Sequence, residues 1–276
     1  MSQFEPEIVL HLAAQALVRR SHREPVQTFS TNVLGTVHVL DAACACESVK
    51  ATVVVTTDKV YRNKEEGIAF REDDAFGGHD PYSASKAAAE IVVESYRQSF
   101  FSAAEKGLAS ARAGNVIGGG DWSEDRIIPD AMRAWLGARP LQVRYPEAIR
   151  PWQHVLEPVC AYLRLAQRIH SNPSASGSFN FGPDPSDMAS VRQVVEAARL
   201  SFGSGDIEWG VRPDNLHEAT TLSLDNAKAK TELGVAPVWG LREAVERTVS
   251  WYRRQADGQS ARLLCEQDIE AFLQAA

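Results

Sequence analysis

The sequence predicts an α/β fold: a parallel sheet packed between helices, followed by a smaller and mostly helical region. Three observations carry that expectation. Short apolar runs at Glu7–Leu12, Ala51–Thr56 and Leu108–Ala113 alternate with stretches of helical spacing. The second of these, Ala-Thr-Val-Val-Val-Thr, is β-branched on both faces, as a parallel strand covered from both sides requires. Strand and helix alternating in this way build right-handed βαβ units.

Taken in order, Glu7–Leu12 is a buried strand by its length and content, and it runs into Ala13 and Ala14. Asn32–Cys46 is a helix, with Val33, Val37, Leu40 and Cys44 at helical spacing. After the Ala51–Thr56 strand, Pro81–Phe100 reads as a helix with proline in its first turn and small residues down one side. Leu108–Ala113 is the third strand. Beyond Asn115 the texture changes: Gly118-Gly119-Gly120-Asp121-Trp122 forms a loop, Ile127–Ala138 a helix and Leu141–Arg144 a short strand. Glu157–His170 is helical, and Ser178–Phe181 is a strand returning to the sheet before Gly182-Pro183. Helices then dominate, at Val191–Phe202, Asp225–Leu233, Leu241–Gln255 and Leu263–Leu273. No internal repeat or low-complexity linker divides the chain, so domain boundaries are expected to cross it more than once.

Composition excludes several classes of function. The 276 residues are 44% hydrophobic and 24% charged, ordinary for a chain with a sizeable core. A net charge of −7 argues against nucleic acid or an anionic membrane surface as partner. No apolar run approaches the ~20 residues that a membrane helix needs, and Met1–Pro6 does not read as a signal peptide. Four cysteines make no disulfide framework; Cys44 and Cys46 point to different faces of one helical pattern and have no partner pair. The expectation is a cytoplasmic, reduced protein without a metal site.

Tyr82-Ser-Ala-Ser-Lys86 is the pair that asks for a mechanism. Residues four apart on a helix share a face, so the phenol and the ammonium can meet in one site. A neighbouring cation favours phenolate and brings tyrosine down from ~10, making it a usable general base. Alone, such a pair is more often a solvated helix face. Its context is the strand Ala51–Thr56, which runs out into Thr57-Asp58-Lys59, a hydroxyl, a carboxyl and an amine together. Parallel sheets place their chemistry just beyond the carboxyl ends of the strands.

Five segments occur in a telling order: HLAAQ (His11–Gln15), TTDKVY (Thr56–Tyr61), DPYSASK (Asp80–Lys86), ARAGNVIGGGDW (Ala111–Trp122) and IRPWQHV (Ile149–Val155). Together they resemble the extended short-chain dehydrogenase/reductases, the NAD-dependent epimerase/dehydratase family, and within it the branch that dehydrates CDP-glucose. The likeness spans the chain to about Arg254. Asp58 followed by Lys59 is its most diagnostic element, since branches acting on dTDP-glucose or GDP-mannose are expected to carry Glu in place of that lysine. The resemblance implies a Rossmann-type sheet at 1–116 and 150–184, and a substrate domain at 117–149 and 185–276. It implies NAD as cofactor, with Leu12, Ala13, Ala14, Asn32, Thr56, Tyr82 and Lys86 lining its nicotinamide side. Thr57, Asp58, Lys59, Tyr82 and Lys86 would be catalytic, with Lys59 removing the C5 proton and Asp58 protonating the departing 6-hydroxyl.

The same resemblance assigns Asn115, Arg126, Tyr145, Arg150 and Arg212 to the nucleotide-sugar substrate. For each arginine the plain alternative is a surface charge paired with an acid, and for His154 a satisfied core histidine. It also implies a homodimer, through a four-helix bundle built from Asn32–Cys46 and Pro81–Phe100. No G-x-x-G-x-x-G follows a strand anywhere in the sequence. The family carries that loop and two further strands ahead of the HLAA strand, on the order of 60–80 residues for a βαβαβ half. The expected sheet is therefore incomplete, with Glu7–Leu12 as an exposed apolar edge and the remaining half supplied by upstream sequence or another chain. Two alternatives to CDP-glucose dehydration stand beside it: a catalytically inactive relative that binds a sugar nucleotide, and a dehydratase of GDP-mannose or dTDP-glucose.

Overall fold

A computed structural model describes residues 1, 3–211 and 219–276. Four parallel strands form the main sheet in the order Ile8–His11, Ala51–Val55, Gly107–Ala113, Ser178–Phe181. Their registers run Ile8 to Ala51, Ala51 to Gly107 and Ser110 to Ser178. The first two strands lie within the runs expected of them, the first trimmed by one residue at each end and the second by one at its carboxyl end; the third starts one residue before the expected Leu108, and the fourth matches its run.

Side chains alternate across this sheet, and the two faces differ. Ala51, Val53, Ala109, Ala111 and Ala113 point to one side, where they pack with Tyr162, Leu165, Ile169 and Phe179. Val54 and Leu108 point to the other, against Leu40, Ala43, Val93 and Phe101 from two further helices. That second face also carries Thr56, Ser110 and Arg112, which are polar and nonetheless buried. A charged residue buried on a sheet face needs a partner from the helix above it.

That helix is Pro81–Tyr96, capped at its start by Asp80, whose carboxylate accepts from the Ser83 amide and hydroxyl. It closes through a π-helical turn, Arg97–Phe101, so the α-helical part ends before the expected Phe100. The other helix on this face begins earlier than the expected Asn32, at Pro25–Phe29. It passes through a π-helical turn at Ser30–Leu34 and continues as Gly35–Ala45. A short helix at Val18–Arg23 went unpredicted, because its basic sequence carries no apolar stripe.

The chain divides into two compact units. The first holds the sheet and comprises Met1–Gly114, Val159–Phe181 and Leu224–Ala236. The second comprises Asn115–Pro158, Gly182–Ser223 and Pro237–Ala276. The sequence reading grouped 150–158 with the sheet and 224–236 with the substrate region; contacts group them the other way. The cause is that the helix Leu156–Ser171 changes unit inside its first turn, and that Ala229 packs under the sheet.

The second unit is built on Ile127–Leu136, Val191–Phe202, Leu241–Ala256 and Ala261–Ala275. Two-stranded pairings join Leu141–Val143 to Ile207–Trp209, Val116–Ile117 to Gln153–His154, and Ile149–Arg150 to Ala189–Ser190. Its core gathers Met132, Trp135, Trp152, Trp251 and Tyr252. Gly119 lies flat on the Trp251 indole, where an added Cβ would meet ring carbon at 2.1 Å, so glycine there is a packing requirement.

Among the described residues, Ile8–His11 is paired on one side only. Ile8, Leu10 and Leu12 alternate along it and are all exposed, forming an apolar row at an open edge. Replacing Ile8 by Lys is expected to change stability by no more than about 0.5 kcal/mol, the usual scale at an exposed site. It should lower the concentration-dependent light scattering of the protein. Scattering unchanged by this substitution would mean that the edge does not drive association.

Candidate active site

Tyr82, Lys86 and Glu90 follow one another at four-residue spacing on Pro81–Tyr96, so they form one stripe facing the polar side of the sheet. All three are buried. Lys86 Nζ donates to the carbonyl of Val55 at 2.9 Å, at the carboxyl end of its strand. Burial pushes the Lys86 ammonium down to about 8, against an opposing pull from the Glu90 carboxylate.

One residue further along that strand, the Thr56 hydroxyl donates to Glu90 Oε1. The chain then turns through a single 3-10 segment, Asp58–Val60, capped by Thr57. Thr57 donates to Asp58 Oδ1 at 2.9 Å, and Lys59 Nζ donates to the same oxygen at 3.2 Å. Hydroxyl, carboxyl and amine are thus joined at one atom. Asp58 is fully buried, and its second oxygen, Oδ2, has no hydrogen-bond partner among the described residues. A buried carboxyl oxygen without a donor is costly and asks for a reason.

Asn32 lies in the Ser30–Leu34 π-turn, a distortion often found at functional sites. Its Oδ1 accepts from the Gln15 amide at 2.8 Å, while Nδ2 donates to Gln15 O at 3.0 Å and Ser85 Oγ at 2.9 Å. Ser85 in turn donates to the Tyr82 carbonyl at 2.7 Å. Asn32 therefore ties the loop after the first strand to the first turn of the Tyr82 helix. In that loop Leu12 and Ala13 are exposed and Ala14 is half-buried, leaving open backbone beyond the strand's carboxyl end. His11, just before them, reaches Thr36 Oγ1 at 3.2 Å and is held below the usual histidine range by burial and by Lys86.

The remaining candidates belong to the second unit, apart from Arg212, which lies outside the described residues. Asn115 keeps its Oδ1 buried and unpartnered. Arg126 is partly exposed and paired with Asp121 at 3.2 Å. Tyr145 is half-buried against the core of its unit. Arg150 is almost wholly buried, and its guanidinium donates to the carbonyls of Ile149, Ala219 and Thr220. His154 is a core residue: Nδ1 accepts from the Leu156 amide, the ring meets Trp239 edge-on, and burial pushes it down to about 4.

Sequence reasoning missed the layer beneath the stripe. Glu90 Oε2 accepts from Arg112 Nη2 at 2.8 Å and from Ser110 Oγ at 2.7 Å. Arg112 also donates to the Tyr61 hydroxyl at 2.7 Å and the Glu72 carbonyl at 2.9 Å. Tyr61 passes its own proton to Asn180 Oδ1 at 2.6 Å. The available signal was Arg112 inside an apolar strand, with Glu90 at the next helical position after Tyr82 and Lys86.

Comparison with known proteins fits this geometry. Residues 1–248 match the family model described as GDP-mannose 4,6 dehydratase. The chain is 43% identical, over its full length and 78% of the relative's, to the CDP-glucose 4,6-dehydratase of Salmonella typhimurium. It is 31% identical to the dTDP-glucose 4,6-dehydratase of Streptomyces antibioticus, covering 90% of this chain and 71% of that one. Among solved structures, MoeE5 in complex with UDP-glucose and NAD superposes with a TM-score of 0.80 at 26% identity, over 91% of this chain and 80% of that one.

The lowered Lys86 value has a sign that can be checked. Between about 8 and the ordinary lysine value of 10.5, the unfolded chain holds a proton that the folded protein has shed. Stability contributed through this group therefore rises with pH across that window. Urea midpoints for the protein and for Lys86→Gln should diverge in the protein's favour from pH 8 to pH 10. A difference that stays constant with pH would show that Lys86 is not desolvated as described.

Proposed function

Because the chain belongs to the GDP-mannose 4,6-dehydratase family of the short-chain dehydrogenase/reductases, we propose that it removes water from CDP-glucose to give the 4-keto-6-deoxy sugar. It is an NAD-dependent nucleotide-sugar 4,6-dehydratase, a lyase that uses oxidoreductase machinery. The observation carrying the reading is 43% identity along the entire chain to a CDP-glucose 4,6-dehydratase, with Thr57, Asp58 and Lys59 gathered at one strand end.

The residues present fit the nicotinamide side of NAD. Exposed backbone at Leu12 and Ala13, the Asn32 tie and the buried Tyr82–Lys86 stripe lie together at the carboxyl ends of two adjacent strands. Leu12, Ala13, Ala14, Asn32, Thr56, Tyr82 and Lys86 would hold it. When bound, NAD supplies a hydride acceptor for C4 and a hydride donor for C6, so that no net oxidation occurs.

The chain's own groups manage the protons. Tyr82, its phenolate favoured by the Lys86 cation, takes the proton of the 4-hydroxyl. The 4-ketone acidifies C5, and Lys59, acting as the neutral amine, removes that proton and later returns it. Asp58 donates to the departing 6-hydroxyl, which leaves as water. Atoms balance when the proton taken by Tyr82 resets Asp58, and Thr57, already hydrogen-bonded to Asp58 Oδ1, is the bridge. The orphaned Asp58 Oδ2 is the oxygen that would meet the 6-hydroxyl. Asn115, Arg126, Tyr145, Arg150 and Arg212 are assigned to the nucleotide and diphosphate; Arg126 is the better placed of the two described arginines, since Arg150 is committed to backbone carbonyls.

Incubation with NAD and each of CDP-glucose, dTDP-glucose and GDP-mannose should give a 4-keto product from CDP-glucose. Tyr82→Phe should lower kcat by ~100-fold or more, within the usual range for loss of a general base. Turnover confined to a sugar not linked to cytidine would overturn the assignment. A second reading is sugar-nucleotide binding without turnover. Calorimetry separates the two, since that reading requires sugar-nucleotide affinity without NAD affinity.

We further propose a homodimer through the helices at 25–45 and 81–101. Val26, Phe29, Leu34, Ile91 and Phe100 leave exposed apolar side chains on these two elements. A cytoplasmic setting suits a chain whose four cysteines form no disulfide among the described residues. Sedimentation should give a dimer that Ile91→Glu shifts toward monomer; a monomeric parent protein would refute the interface.

A further inference from the structure

Thr57, Asp58 and Lys59 sit between two fixed points, and one buried ion pair holds both. On the entering side, the Thr56 hydroxyl donates to Glu90 Oε1. On the leaving side, the Tyr61 hydroxyl accepts from Arg112 Nη1 at 2.7 Å. Glu90 and Arg112 are joined to each other at 2.8 Å, with side chains 1% and 2% exposed. The path Thr56, Glu90, Arg112, Tyr61 therefore closes a ring around the turn that carries the three residues.

The pair is itself held in one orientation. Ser110 donates to Glu90 Oε2 from the adjacent strand, and the Arg112 guanidinium lies about equally far from the Tyr61 and Phe76 rings, 5.1 and 5.0 Å from their centroids. On the helix, Glu90 lies one turn below Lys86, which grips Val55 O at 2.9 Å. Consecutive strand residues, Val55 and Thr56, are thus bound to consecutive members of the Tyr82–Lys86–Glu90 stripe.

We propose that the Glu90–Arg112 pair is a positioning device: it clamps both ends of the 57–60 turn and so fixes Thr57, Asp58 and Lys59 relative to Tyr82. Stability alone does not call for charges at this place, because a buried ion pair can often be replaced by apolar residues of similar volume without loss. What apolar residues could not reproduce are directed bonds to Thr56 on one side and Tyr61 on the other. The inference rests on the catalytic reading of Thr57, Asp58, Lys59 and Tyr82 given above.

The test uses the full chain and three changes: Tyr61→Phe, Glu90→Gln and the double change Glu90→Leu with Arg112→Met. Hydrogen exchange is followed by mass spectrometry for peptides covering 56–62 and 107–113, and turnover of CDP-glucose is measured with NAD. Exchange in 56–62 is expected to speed up by about tenfold while 107–113 stays protected, a local opening without global unfolding. kcat should fall by about 10- to 100-fold, the scale of a displacement near 1 Å, with KM within about threefold. A folded double variant with unchanged exchange at 56–62 and kcat within about twofold overturns the proposal, as does a loss carried by KM alone. If the double variant does not fold, Tyr61→Phe decides by the same two readouts, since it removes a single hydroxyl. If the unmodified protein does not turn over CDP-glucose, the functional reading fails while the exchange measurement still decides the clamp.

Discussion

Arg112 stands near the carboxyl end of a strand whose other residues are glycine, alanine, serine and leucine, and it is almost wholly buried. An unanswered guanidinium there would be prohibitive, so the helix crossing that face must bring an acid to it. Glu90 is that acid, and placing it fixes the rotation of the helix about its own axis. Once Glu90 faces the sheet, Lys86 and Tyr82 must face it too, because they lie one and two turns back on the same stripe. Removing either partner alone would leave a buried charge and cost on the order of 3–5 kcal/mol.

The consequence extends to both edges of the stripe. Above it, Lys86 reaches Val55 O and loses most of its solvent, which is the source of its lowered value. Toward the helix start, Ser85 on an adjacent face receives Asn32, and through it the loop after the first strand. Below it, Arg112 extends through Tyr61 to Asn180 in the last strand of the sheet, where burial has pushed the Tyr61 phenol up to about 12. A phenol held neutral in this way keeps its proton and continues to donate to Asn180. The polar layer thus runs across neighbouring strands while both faces of the sheet remain packed with apolar residues.

How much of this was legible in the sequence follows from what each signal depends on. The strands were readable because β-branched and small residues in short runs depend only on local content; all four lie where expected. Helix ends were less so. The π-turns at Ser30–Leu34 and Arg97–Phe101 leave no mark on apolar spacing, since they shift the hydrogen-bond ladder without changing which side chains are buried. Tyr82 and Lys86 could be paired because four-residue spacing is a local rule. The tie from Arg112 to Tyr61 spans fifty-one positions and depends on which face of a strand each residue takes, which no spacing rule supplies. His154 shows the reverse case: it invites a ligand role by its chemistry, and the structure gives it a core role by its neighbours.

The second unit shows how burial alone can mislead about binding. Arg150 has the fork geometry that suits a diphosphate, but its nitrogens point at the carbonyls of Ile149, Ala219 and Thr220. Those bonds hold the Ile149–Arg150 strand to the 219–223 stretch, whose Thr220, Thr221 and Leu222 also pair with Ile149. An arginine so committed shapes the backbone around it. Arg126 differs: it is partly exposed and paired with the half-buried Asp121 at 3.2 Å, a partner that the phosphate of the proposed substrate could replace at little cost. Under the proposed function, charge recognition in this unit would fall to residues such as Arg126, whose partner is a half-exposed carboxylate, and directional support to those such as Arg150, whose partners are backbone carbonyls.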